Sequence, residues 1–148
     1  MREVELAWLA GIVDGEGSIT IRKGQVNKGQ VQLSVGNTYK EAIDKIKEMT
    51  GFGYVRLLHR DLERPFYKKS KTHKPCYQWK VVSNQACSAL RPLLPYLVIK
   101  KEQAILALKY QEILSEQGRG RPGGIDQSFF IRRDEIRDKI SKLNHGVI

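Results

Sequence analysis

Leu9-Ala10-Gly11-Ile12-Val13-Asp14-Gly15-Glu16-Gly17 is the stretch on which the reading of this chain turns. The segment from Glu3 to Val13 is rich in Leu and Ala, with no breaker before Gly11. It reads as a buried helix that Gly15 and Gly17 bring to an end. Ala10 and Gly11 put almost no side chain between this helix and a neighbour, so a second helix can approach closely. Leu9, Ala10, Gly11 and Val13 are the expected contact residues. Two carboxylates, Asp14 and Glu16, follow in a Gly-rich turn. The helix dipole disfavours a bare anion at a C-terminal end, so an acid at Glu16 is explained if a cation shares the site. Hard divalent ions such as magnesium take carboxylate, carbonyl and water oxygens, which makes Glu16 and the Gly15 carbonyl reasonable ligands. The plainer alternative is a tight helix-to-strand turn that happens to be acidic.

Working outward, Ser18-Ile19-Thr20-Ile21-Arg22 and Gln30-Val31-Gln32-Leu33-Ser34-Val35 alternate strictly, with a polar, Gly-containing connection between them. Period-two alternation predicts two strands of a hairpin, apolar on one face through Ile19, Ile21, Val31, Leu33 and Val35. Asn37 or Thr38 is placed to cap a helix from Lys40 to Met49, which Gly51-Phe52-Gly53 stops. Tyr54 to Leu58 reads as a third strand and Cys76 to Val82 as a fourth. Between them, His59 to Pro75 reads as a mobile basic loop. Asn84 to Leu94 and Ile99 to Ser115 read as helices separated by Pro95. The expected domain layout is a core over 1–116, a Gly/Arg/Pro linker over 117–124, and a helical extension of the same domain over 125–148. The fold class is α+β, an antiparallel sheet covered on one face and open on the other.

Composition narrows the partners. Lys and Arg number 26 against 16 Asp and Glu, a formal charge of +10 and a pI near 9.7. Such an excess favours polyanions, because each neutralised phosphate releases condensed counterions. The open face would carry Ser18, Thr20, Arg22, Gln30, Gln32, Ser34, Arg56, Gln78 and Lys80, and no acid. A two-stranded ribbon fits the major groove of double-stranded DNA, where Arg and Gln make bidentate contacts to base edges. Periodicity alone would look the same for a solvated face. Arg119, Arg121 and the basic loop suit phosphates, while Tyr77 and Trp79 fall on the apolar side, as core. Cys76 and Cys87 have no metal-ligand spacing and suggest a reducing compartment. His59, His73 and His145 have none either. No apolar run is long enough for a membrane span. The expected location is intracellular: cytoplasm or nucleoid, or an organelle if one encodes the protein.

The segment from Leu9 to Gly17 resembles the signature of the LAGLIDADG homing endonucleases. It matches at Leu9, Ala10, Gly11, Asp14 and Gly17, with conservative replacements at Ile12 and Val13 and an acid at Glu16. The order of elements from about Glu3 to Ser115 resembles that family's αββαββα core, whose antiparallel, saddle-shaped sheet binds DNA; here extra C-terminal helices follow. The resemblance implies metal-dependent hydrolysis of both DNA strands, leaving 3′ overhangs, with magnesium as cofactor and manganese or calcium as substitutes. It makes Glu16 the metal-binding acid, where many members carry Asp, and Asp14 a support for the turn. It gives Lys100 the role of the pocket lysine, with Lys101 as rival. It gives Asn37 the role of the water-holding polar residue, a position where a helix cap is an equal reading. The chain holds one motif only. Two strands present two scissile phosphates, so the resemblance implies a homodimer on a pseudo-palindromic site and an intron-encoded, free-standing form. Two other readings stay open: a maturase that binds its intron RNA, and a DNA-binding regulator that does not cut.

Overall fold

Alternating and helical stretches assemble around one sheet, in a computed structural model that describes residues 1–23, 29–58, 74–116 and 127–146. The elements run α1 (Glu3–Glu16), β1 (Gly17–Arg22), β2 (Gln30–Asn37), α2 (Lys40–Thr50), β3 (Tyr54–Leu58), β4 (Cys76–Val82), α3 (Ser83–Leu93), α4 (Lys101–Glu116) and α5 (Gln127–Asn144). All of the basic loop except Lys74 and Pro75 lies outside the described residues, as does the whole linker with Arg119 and Arg121.

The sheet is antiparallel throughout, in the order β1-β2-β4-β3. Its register brings like against like. Ile19 pairs with Leu33 and Ile21 with Val31 across β1 and β2, while Leu33 pairs with Val81 and Val35 with Trp79 across β2 and β4. These side chains are buried with Leu9 and Val13 of α1, Ile43 and Ile46 of α2, and Leu90 and Leu93 of α3. The helices therefore cover one face, and among the described residues the strands turn their polar side chains to the other, as alternation predicts. Trp79 is fully buried, its indole N–H donating to the Phe52 carbonyl at 3.1 Å. Gly53, at φ 83°, lies so close beneath it that an added Cβ would sit 2.5 Å from Trp79 Nε1. Only glycine meets both demands.

Two boundaries differ from the sequence expectation. Gly15 does not end α1: the helix continues through it to Glu16 and stops at Gly17. Gly17 is extended, so its conformation does not demand glycine, but a Cβ there would lie 2.5 Å from the Val13 carbonyl oxygen and 2.8 Å from Val13 Cα. The chain turns from helix into strand with no room for a side chain. The second difference is that α4 begins at Lys101 and not at Ile99, because the residues before it are held by α1, as described below.

The last helix, α5, runs beside the edge strand β1. Ile136 and Ile140 are buried there, and the Asn144 amide donates to the Ile19 carbonyl at 2.8 Å. One outward-facing carbonyl of an edge strand is thereby occupied, which reduces the edge's capacity to pair with another chain. Arg133, 3% exposed, packs its guanidinium over the rings of Tyr110 and Phe130, fastening α5 to α4.

Candidate catalytic site and nucleic-acid face

Glu16 is the last residue of α1 and is exposed. Asp14, two residues earlier, points toward the segment that joins α3 to α4. Its two carboxylate oxygens accept the backbone N–H groups of Val98 at 2.8 Å and Lys100 at 2.9 Å. Burial pushes the Asp14 carboxyl up, but the N–H groups of Val98, Lys100 and Ile99, with the Lys100 charge, outweigh it and hold the group below the ordinary carboxylate range. The Lys100 ammonium donates to the main-chain carbonyl of Asp14. That carbonyl is in the last turn of α1, where the helix presents its negative end, so a cation is favoured there. Lys101 is exposed as the first residue of α4, and no hydrogen bond among the described residues ties it to α1. The structure thus brings Glu16 and Lys100 to the same end of one helix and leaves the rival lysine outside.

Asn37 closes β2 opposite Tyr77. Its side-chain oxygen accepts the backbone N–H of Tyr39 at 2.8 Å, the turn that leads into α2. The residue in the N-cap position is Tyr39. Asn37 therefore shapes the turn from a position two residues ahead of the N-cap, and its amide NH2 has no partner among the described residues.

The donor set near Glu16 fits a hard cation only in part. Among the described residues no three His, Cys, Asp or Glu side chains come together as a metal cluster. Glu16 and the Gly15 carbonyl are oxygen donors of the right kind, but one chain supplies too few of them. Phosphate oxygens and a second carboxylate would complete the set.

The expected helix–helix contact face needs correction. Leu9, Ala10 and Val13 are fully buried in the subunit's own core, because they are the side of α1 that packs on the sheet. Of the four residues expected to contact a second helix, Gly11 alone faces outward. The outward stripe is Val4, Ala7, Trp8, Gly11 and Gly15, and a Cβ built on either glycine meets nothing within 4 Å.

The open face of the sheet carries the polar residues that alternation assigned to it. Ser18 pairs with Ser34, Thr20 with Gln32 and Arg22 with Gln30; Ser34 pairs with Lys80, and Arg56 with Gln78. No acid occurs at these positions. Arg56 donates to the Gln78 side-chain oxygen at 2.9 Å, and Gln32 donates to Gln30, which donates to the Ser83 hydroxyl. Ser18, Arg22 and Arg56 are exposed, whereas Gln32 and Lys80 are only 7% and 9% exposed. The two central residues are thus walled in by their neighbours. Burial, reinforced by the charges of Arg22 and Arg56, holds the Lys80 ammonium below the ordinary lysine range. Positive charge with no acid beside it at the paired positions of the described strands suits a polyanion. Tyr54 pairs with Lys80 and so shares this face; its alternation with Arg56 is the signal that would have found it in the sequence.

No protein-family model and no curated protein matches the chain. Solved structures do match it. The crystal structure of the homing endonuclease I-CvuI, in complex with the I-CreI target in the presence of magnesium and with the DNA not cleaved, is 25% identical with a TM-score of 0.70, the match covering 95% of this chain and 82% of that one. The archaeal intron-encoded homing endonuclease I-Vdi141I, complexed with DNA, is 15% identical with a TM-score of 0.66, covering 99% and 94%. The LAGLIDADG homing endonuclease I-GzeII, in complex with its DNA target, also has a TM-score of 0.66 at 15% identity, but the match covers 93% of this chain and only 44% of that one.

Proposed function

For a chain with the fold of the LAGLIDADG homing endonucleases, we propose that the function is site-specific, metal-dependent cleavage of double-stranded DNA by a homodimer. The observation that carries this reading is the joint placement of Glu16 and Lys100 at one end of α1, on a subunit whose open sheet face bears Arg, Lys, Gln and Ser and no acid. The match to less than half of I-GzeII supports a second copy of this chain as the missing half. So do the bare Gly11 and Gly15 on the outward side of α1, where a partner helix can lie close.

In the dimer the two sheets follow the major groove on either side of a twofold axis, so the site read is a pseudo-palindrome. Arg22, Arg56, Ser18 and the Gln residues meet base edges, and Lys80 beneath them supplies charge. The Glu16 carboxylates of both subunits, with the Gly15 carbonyls, would hold the metal. Magnesium bound there, or manganese or calcium in its place, would supply charge neutralisation and a more acidic water. Lys100 offers a fixed positive charge to the phosphate as charge builds up on it. Asn37 holds a water through its side-chain amide. Water adds to phosphorus and the P–O bond to the leaving sugar breaks, once in each strand.

The test is to incubate the purified protein with a plasmid library of randomised pseudo-palindromes, with magnesium or with chelator. Recovery of one family of linearised sites with magnesium only is the expected result. Tight, sequence-selective binding with no cutting would overturn it in favour of a regulator or an RNA maturase.

A further inference from the structure

Asp14 grips Lys100 at two points. Its carboxylate accepts the Lys100 backbone N–H at 2.9 Å, and its own carbonyl accepts the Lys100 ammonium. The same carboxylate holds the Val98 N–H at 2.8 Å. These contacts join parts of the chain 84 and 86 residues apart, so they are no local turn. Packing does little to hold this segment, since Val98 is 82% and Ile99 69% exposed. Leu97, at 2%, is the last residue anchored in the core before α4. From there to Lys101 the main chain is fixed to α1 by hydrogen bonds to one carboxylate.

We propose that Asp14 is a positioning residue that acts on the reaction through Lys100: by holding the segment from Val98 to Lys100 against α1, it sets the lysine ammonium at the helix end that also carries Glu16. The proposal rests on the nuclease reading above. Hydrogen bonds from backbone N–H to a charged carboxylate are among the strong ones. Converting the carboxylate to an amide leaves one acceptor and turns an NH2 donor toward an N–H donor. Asp14→Asn should therefore free one of the two amides while changing the size of the side chain little. A charge displaced by about 1 Å from its working position costs on the order of a hundredfold in rate.

A double-mutant cycle on single-turnover cleavage, with Asp14→Asn, Lys100→Ala and the pair, separates a positioning role from a structural one. If Asp14 works through Lys100, Asp14→Asn slows cleavage on the order of tenfold to a hundredfold in the parent. In the Lys100→Ala background it then slows cleavage by less than about threefold, the usual limit of additivity for uncoupled sites. DNA affinity measured with chelator, so that nothing is cut, is the same for Asp14→Asn as for its parent in each background. An equal loss of rate in both backgrounds, or a parallel loss of DNA affinity, would overturn the proposal, as would no loss at all.

A readout free of cleavage accompanies it: hydrogen exchange at the Val98 and Lys100 amides and the Lys100 side-chain ammonium resonance. Both amides should be protected in the parent, with exchange accelerated and the ammonium resonance moved in Asp14→Asn. Unprotected amides in the parent would refute the clamp. If the parent cuts no DNA while both amides are protected, the nuclease reading fails, and the role in cleavage proposed for Asp14 falls with it. Should Asp14→Asn fail to fold, Asp14→Ser, which keeps one acceptor, replaces it in both experiments.

Discussion

Leu9, Ala10 and Val13 on one side of α1 are fully buried, whereas Val4 and Trp8 on the other are 77% and 36% exposed and are followed along the same side by Gly11 and Gly15. The inner side fills the space above the sheet with branched side chains. The outer side tapers, from a large residue near the start of the helix to none at the end that carries Glu16. In the proposed dimer two copies of such a helix would approach most closely at their acid ends, where the metal site needs two carboxylates. One helix thus has two apolar sides, one buried in the core and one exposed, which the proposed dimer would use.

Leu9→Ala should destabilise the subunit by about 3–5 kcal/mol, the range for a buried leucine whose cavity does not collapse. Chemical denaturation measures it, and a loss below about 1 kcal/mol would mean that the site is loosely packed.

Gly11→Glu tests the outer side. The subunit should keep its fold, since a side chain there meets open space. Two like charges facing each other across a helix contact cost several kcal/mol, so dimer dissociation should strengthen about a hundredfold or more. Sedimentation reads the change. A dimer that survives unweakened would place the interface elsewhere.

Asp14→Asn examines the junction of the two sides and should cost about 2 kcal/mol at neutral pH, as expected for hydrogen bonds to a charged group. The sign follows from the lowered pKa. The contribution is complete above the ordinary value of 3.8 and is lost as the pH falls through the folded-state value below it. Urea titrations of both proteins should therefore converge in acid; a gap that persists there would show that charge is not its source.

The smallest effect is expected far from α1. Gln78→Ala removes the partner that orients Arg56 and should weaken discrimination at one base position by about 1 kcal/mol, without altering dimer affinity. Competition binding on substituted sites measures it.

Much of this was legible in the sequence, for reasons that can be named. The hairpin of β1 and β2 alternates with period two, and its faces are as the alternation placed them. β4 carries the same signal, and β3 and β4 have the expected bounds. The inner side of α1 was not legible, because a helix that is apolar on both sides has no periodicity to say which side looks inward. Gly15 read as a stop, yet a glycine is tolerated within a helix at a cost of about 1 kcal/mol. The shielding of Gln32 and Lys80 comes from lateral neighbours on three strands, and the grip of Asp14 on Lys100 joins distant parts of the chain. Neither leaves a mark on local pattern. Glu16 was proposed from its place at a helix end as well as from the resemblance, and Lys100 from the resemblance alone; their shared position at the end of α1 required the fold.

In the proposed reaction Glu16 holds the metal needed to cut DNA. Comparing the parent with Glu16→Gln on a recovered target, by single-turnover cleavage in magnesium and by DNA affinity, tests this. Cleavage should fall by about a thousandfold or more, the scale of losing a metal-activated water at a phosphoryl site, while affinity is retained or rises. Cleavage that continues at near the parent rate would contradict it and leave Glu16 as an acidic residue of the helix-to-strand turn.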